Sequence, residues 1–141
     1  MKIDNQKLFQ SKCYIDGKWI HNSEEKTIDV NNPASLEIIG NVPNCGTAET
    51  RKAIEAANNA LPDWRSKTAK ERSIILKKWF ELIIQNQEDL AKIMTLEQGK
   101  PINESRGEIN YGASFIEFYA EEAKRVYGET IPDPLADRRI I

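Results

Sequence analysis

The chain has 141 residues, of which 40% are hydrophobic and 30% charged, and its formal net charge is -2 at pH 7. One ordinary domain fits that length, and so small a net charge gives no electrostatic pull toward nucleic acid or an anionic membrane. No apolar run reaches signal-peptide or membrane-spanning length, and Cys13 and Cys45 stand apart with no disulfide or zinc spacing, so a cytoplasmic, reduced protein is expected.

In chain order, residues 1–12 are polar and read as loose, with at most a short helix over 5–10. Cys13 to Ile20 reads as a hairpin, because Asp16-Gly17 is a two-residue turn signal between aromatic and β-branched residues. Lys26 to Asn31 alternates polar and apolar, as a half-buried strand does. Asn32-Pro33-Ala34-Ser35 is a turn, and Glu37 to Pro43 is a second strand, broken at Gly40 and closed by proline.

From Thr47 the period becomes helical. Thr47 caps an alanine-rich helix with Glu49 in its first turn, and that helix is expected to halt at Leu61-Pro62. Thr68 and Glu71 have capping-box spacing, and Ile75, Trp79, Leu82 and Ile83 form an apolar stripe behind them. The pattern pauses at Asn86-Gln87. A further helix follows over 88–97, stopped by Gly99. Pro101 suits the first turn of a last helix, read over 102–127 and ended by Gly128. Ile109, Gly112, Ile116, Ala120, Ala123 and Tyr127 form one face of it, and Gly107, Tyr111, Phe115 and Phe118 a second. An arc this wide needs cover on more than one side, and the chain has little left to supply it.

These pieces, in this order, resemble the N-terminal portion of the aldehyde dehydrogenase superfamily. Tyr14-Ile15-Asp16-Gly17-Lys18-Trp19 is similar to its first hairpin. Val30-Asn31-Asn32-Pro33-Ala34 is similar to its N-P-x-x-G-x-x-I strand, with Leu36-Glu37 where a glycine is common. The stretch from Ala53 to Trp64 is similar to its A-x-x-A-A-x-x-A-x-x-x-W helix, and Leu96 to Pro101 to its E-x-G-K-P junction. Gly128-Glu129-Thr130-Ile131-Pro132 is similar to its exit into the oligomerisation hairpin. The wording around Gly107-Glu108-Ile109 and Ala113 to Phe118 is most similar to the succinate-semialdehyde dehydrogenase branch, with glutarate-semialdehyde enzymes as near neighbours.

The resemblance implies an α/β fold. It is the N-terminal part of the aldehyde dehydrogenase fold: a small β-hairpin and strand region, then three or four helices, truncated before the Rossmann-like core. Residues 1–132 are then the N-terminal part of an NAD(P)-binding domain, and residues 133–141 the interrupted start of an oligomerisation hairpin. The implied activity is oxidation of succinate semialdehyde, or a similar semialdehyde, to the acid with NAD or NADP. A cysteine thiolate attacks the aldehyde, hydride passes to the cofactor, and a glutamate activates the hydrolytic water. Those groups belong to motifs expected beyond Ile141, so the sequence reads as the front of something larger.

No catalytic or cofactor-binding residue is therefore expected in this chain, nor is cofactor binding by the chain alone. Cys13, Cys45 and His21 read as structural or solvated residues. Glu108, Glu117, Glu121 and Glu122 read as a wetted helix surface. The resemblance implies a wall of the aldehyde tunnel at Gly107, Tyr111 and Phe115, and a monovalent cation near Val30, Asn31 and Glu97. The expected partner is the missing C-terminal remainder or a second copy, with no nucleic acid and no membrane. A different class of reading is a non-catalytic interaction module, or a split subunit pairing with a separately encoded catalytic part.

Overall fold

The computed structural model of the chain describes residues 1–21 and 26–132 and the backbone of 138–140. The fold is α/β, with short antiparallel ribbons first and four helices after them. Strands β1 (Cys13–Ile15) and β2 (Lys18–Ile20) pair with Ile15 opposite Lys18. The turn between them has φ of 51° at Asp16 and 73° at Gly17, the two left-handed positions of a type I′ hairpin. Tyr14 and Trp19 face each other across it, ring centroids 5.1 Å apart.

Strands β3 (Thr27–Asn31) and β4 (Ile38–Pro43) form the second ribbon, with a register shift between Val30 and Asn31. Leu36, in their connection, has φ 63°. This is the place where the resembling motif carries glycine, and a leucine there bears the left-handed penalty with its side chain exposed. Leu36→Gly is expected to stabilise the chain by about 0.5–1 kcal/mol, the relieved strain outweighing the added freedom of the unfolded glycine. A urea midpoint unchanged or lowered in that variant would refute this.

Helix α1 (Thr47–Ser66) starts one residue earlier than Thr47 as a cap would allow. Gly46 is the cap, and its N–H donates to Oε2 of the buried Glu49 at 3.2 Å. The expected stop at Leu61-Pro62 does not occur; the helix runs through Pro62. The proline forfeits one hydrogen bond, to the Asn58 carbonyl, on a side of the helix where both residues are exposed to water. Helix α2 (Ala69–Gln85) begins on the expected capping box. Glu71 N–H donates to Thr68 Oγ1 at 3.3 Å, and Thr68 N–H returns a bond to Glu71 Oε2 at 2.7 Å. Asn86 closes α2 and opens α3 (Gln87–Gln98), whose end is capped by Gly99 at φ 72°.

Helix α4 (Ile102–Glu122) is shorter than the expected 102–127. After Glu122 the bonds tighten to the three-residue kind, Lys124 N–H to Glu121 and Arg125 N–H to Glu122. Val126 and Tyr127 are almost wholly exposed, so nothing packs against a further turn to hold it, and Gly128 caps no helix. Strand β5 (Thr130–Pro132) then pairs antiparallel with β6 (Arg138–Ile140). Residues 133–137 and 141 of the expected hairpin lie outside the described residues.

The helices pack α2 on α4 and α3 on α4. What they bury is small: Ser73 on α2, Ala91 on α3, and Ser105, Ala113 and Ala120 on α4. Small residues let helix axes approach closely, and they leave the large apolar side chains elsewhere. Ile75, Trp79 and Leu82, the expected core stripe of α2, are about half exposed, and Trp19 and Trp64 are not in the core either.

The first twelve residues are not loose. Ile3 is buried, and the N–H groups of Asp4 and Asn5 donate to the two carboxylate oxygens of Asp89 at 3.0 and 2.7 Å. The expected short helix shrinks to one 3₁₀ turn, Gln6–Leu8.

Candidate functional site

Helix α4 carries three of the residues expected to matter. Its buried side is the line Ser105, Ala113 and Ala120, packed toward α2 and α3. Gly107, Tyr111 and Phe115, spaced by four, lie on the other side and are exposed. Tyr111 is 67% exposed and Phe115 47%. Their rings meet edge to face with centroids 4.8 Å apart, so the two form one apolar shelf. A side chain added at Gly107 would enter open space, so the shelf is unobstructed at that end. Phe118 and Tyr119 extend the aromatic surface with a second edge-to-face pair, 5.3 Å between centroids. Gly112, read on one face with Ile109, Ile116 and Ala120, is exposed at the margin of the buried stripe, and Ala113 fills its centre.

The second expected group, Val30, Asn31 and Glu97, sits near the α3–α4 junction. Gly99 packs against the β3–β4 connection so closely that a Cβ there would lie 2.8 Å from Pro33 Cγ and 3.3 Å from the Ala34 nitrogen. This contact joins the segment carrying Glu97 to the one carrying Val30 and Asn31. The register shift at Val30 and Asn31 takes backbone groups off the regular ladder, the kind of irregularity that leaves carbonyls available to a ligand. Val30 is half-buried, and Asn31 and Glu97 are exposed. Among the described residues no three His, Cys, Asp or Glu side chains cluster as metal ligands.

Several polar contacts were not legible in advance. Asp89 is buried and also accepts from Lys92 Nζ at 3.0 Å, while Lys92 reaches Asp4 Oδ2 at 3.1 Å. The backbone donors of Asn5 and Asp4, with Lys92, hold the Asp89 carboxyl down at about 2. The bonds to Asp89 and Asp4 push the Lys92 ammonium up in return. Arg106 grips Glu88 with two N–H groups, at 2.6 and 2.9 Å, and pulls its carboxyl below the usual range. The hydroxyls of Thr95 and the fully buried Ser105 meet at 2.8 Å between α3 and α4. Each perturbed carboxylate is fully ionised at neutral pH and tied to a structural partner, so these pairs hold the chain together and offer no general acid or base.

Cys13 and Cys45, read from the sequence as isolated, come together with their sulfurs 3.5 Å apart. Thirty-two positions separate them, and no spacing rule links cysteines across an intervening β-ribbon. His21 is exposed, one residue beyond the Ile20 that pairs with Cys13. A cleft of about 370 Å³ opens between the β1–β2 hairpin and α1, with Ile15, Asp16 and Ile20 on one wall and Lys52, Glu55 and Asn59 on the other. None of the expected site residues lines it.

No helix of the described residues is long and apolar enough to cross a membrane. The model of the aldehyde dehydrogenase family matches residues 19–141. A glutarate-semialdehyde dehydrogenase of Pseudomonas aeruginosa is 57% identical over 141 residues, which is 100% of this chain and 29% of that protein. The NADP(+) succinate-semialdehyde dehydrogenase of Escherichia coli is 54% identical over the same 141 residues, again 29% of its length. The crystal structure of an NADP-dependent enzyme of E. coli superposes with a TM-score of 0.96 at 54% identity, over 99% of this chain and 29% of that one. The chain thus spans under a third of the length of the curated relatives it matches.

Proposed function

The chain belongs to the aldehyde dehydrogenase family, and on that premise we propose that it is the N-terminal scaffolding portion of an NAD(P)-dependent dehydrogenase acting on succinate semialdehyde or a similar semialdehyde. In this reading residues 1–132 are the outer part of the cofactor domain and residues 133–141 begin the oligomerisation hairpin. The observation that carries it is the division of α4. The helix packs on α2 and α3 through Ser105, Ala113 and Ala120, and it turns Gly107, Tyr111 and Phe115 outward as an apolar shelf. An exposed aromatic shelf suits one wall of an aldehyde channel whose opposite wall is other polypeptide. The two relatives named for semialdehydes support that substrate class.

Nicotinamide dinucleotide, when bound, supplies the hydride acceptor. The residues of this chain do not fit a site for it. The sequence has no Gly-x-Gly-x-x-Gly or Walker loop. Each helix also carries its own carboxylate in the first turn: Glu49, then Glu71, then Glu88 with Asp89, then Glu104. The positive end of every helix dipole is already compensated, and a pyrophosphate would meet like charge there. The contribution of this segment is positional. It presents the shelf, and the loosened strand carbonyls of Val30 and Asn31 with Glu97 hold a monovalent cation that stiffens the β-ribbon against the α3–α4 junction.

The test is a chimera in which this chain replaces the matching segment of the E. coli succinate-semialdehyde dehydrogenase. The chain alone, given NADP⁺ and succinate or glutarate semialdehyde, is expected to show no rise in nicotinamide absorbance, and the chimera is expected to turn over. Tyr111→Ala and Phe115→Ala in the chimera should raise KM for the semialdehyde by about tenfold, the worth of one lost apolar contact. Glu97→Gln should weaken any dependence of its stability on potassium or sodium. Turnover by the chain alone, or a KM untouched by both shelf substitutions, would overturn this reading.

A further inference from the structure

We propose that Cys13 and Cys45 are a reversible disulfide site that locks the β1–β2 hairpin to the start of α1. Cys13 opens β1, and Cys45 lies in the short connection between the end of β4 at Pro43 and the α1 cap at Gly46. Both thiols are free and half-buried, and their sulfurs are 3.5 Å apart. A disulfide needs about 2.0 Å, so closure asks for a movement on the order of 1.5 Å. The local structure permits it. Cys45 is outside any helix or strand, and among the described residues β1 pairs with β2 alone, so neither backbone is held in a wide sheet.

The site is also placed where a bond would change something. The hairpin meets α1 by a small contact beside the open cleft that runs between Ile15, Ile20 and Lys52. Among the described residues the hairpin and α1 meet there by that small contact, which leaves the hairpin room to shift on the helix. A covalent bond from Cys13 to the residue preceding the α1 cap fixes the hairpin on the helix and removes that freedom.

The oxidant is a hydroperoxide. One thiol, as its thiolate, attacks the peroxide oxygen, the O–O bond breaks, and sulfenic acid forms with release of water or an alcohol. The second thiol then attacks the sulfenic sulfur, water leaves, and the S–S bond forms. In sum the two thiols lose two protons and two electrons, and the peroxide takes them. Cys45 donates its S–H toward the Cys13 sulfur, and burial first, then that bond, pushes its thiol up. Either thiol can be the one that meets peroxide, and the other, 3.5 Å away, resolves it. A small thiol reverses the reaction by exchange.

The experiment treats the reduced full chain with hydrogen peroxide, blocks remaining thiols with an alkylating reagent, and maps peptides without reduction. The expected result is one cross-linked pair joining Cys13 to Cys45, lighter by two hydrogen atoms, monomeric, and reversed by dithiothreitol. Both thiols disappear together, at least about tenfold faster in the native chain than in urea, because folding sets their effective concentration. In Cys45→Ser, Cys13 is expected to be trapped as sulfenic acid by a dimedone-type probe. Equal rates in native and unfolded chain, only intermolecular disulfides, or over-oxidised Cys13 beside an alkylated Cys45 would each overturn the proposal.

Discussion

Gly99→Ala is expected to destabilise the chain by about 2–4 kcal/mol, far more than a one-carbon change costs on an open surface. Two separate penalties combine. Gly99 ends α3 in the left-handed region at φ 72°, where its N–H closes on the Thr95 carbonyl at 2.9 Å. An alanine holding that conformation costs about 1 kcal/mol or more. The second penalty is steric. The new methyl would lie 2.8 Å from Pro33 Cγ, closer than real Cβ atoms come to any neighbour. Pro33 can yield at Cγ only by a change of ring pucker, and the next neighbour is the Ala34 backbone nitrogen at 3.3 Å, which cannot step aside without moving the β3–β4 connection. The two penalties separate in a double-mutant cycle. Pro33→Ala should remove most of the steric part and leave the conformational part, so the pair is non-additive by about 1–2 kcal/mol. Additive urea midpoints for Gly99→Ala and Pro33→Ala would show that the close approach carries no energy. The consequence reaches the proposed cation site, because the same contact joins the segments carrying Glu97 and Val30.

The elements that announce themselves locally were legible in the sequence. Asp16-Gly17 specified a two-residue turn, Thr68 with Glu71 a capping box, and Gly99 a helix end, and each is found where its chemistry places it. Such signals act within four residues, so nothing distant can overrule them. The misses share the opposite property. The N-terminal residues look loose until Asp89, some 85 positions away, takes their N–H groups. The end of α4 looks helical to Tyr127, but periodicity says nothing of whether a partner exists to hold the last turn. Cys13 and Cys45 meet only because the β3–β4 ribbon folds back between them. Local signals misled too: Gly46 rather than Thr47 caps α1, Gly128 caps no helix, and Pro62 does not end α1, since an exposed proline costs a helix a bond without having to end it. For the candidate site, the spacing of Gly107, Tyr111 and Phe115 correctly placed them on one side of α4. That this side is open rather than covered is a property of the whole assembly of helices and is not written in the helix itself.

Ala113→Leu should cost about 2–4 kcal/mol, while Phe115→Ala, a much larger change two residues along the same helix, should cost about 1 kcal/mol or less in this chain. The order inverts ordinary expectation, in which losing a phenyl ring is expensive and gaining an isobutyl group is tolerable. It follows from where this chain buries its side chains. Ala113 is 1% exposed on a helix packed against α2 and α3, whose own fully buried side chains, Ser73 and Ala91, are as small. Three added carbons have no void to enter, so the helices must separate, and separation also threatens the 2.8 Å hydroxyl contact of Thr95 with Ser105. Phe115 keeps nearly half its surface in water and its ring meets Tyr111 edge to face, so its removal forfeits a partly solvated contact rather than a core one. The comparison is made by urea titration of the helical circular dichroism signal. Its second half is made in the chimera, where the shelf is covered by other polypeptide. There Phe115→Ala should cost about 2 kcal/mol more than in the chain alone, the burial of roughly half a phenylalanine plus the cavity left behind. If Phe115→Ala is as costly in the isolated chain as in the chimera, the shelf is already covered and α4 has no absent neighbour. If Ala113→Leu is tolerated in both, the small-residue seam is not what sets the spacing of these helices.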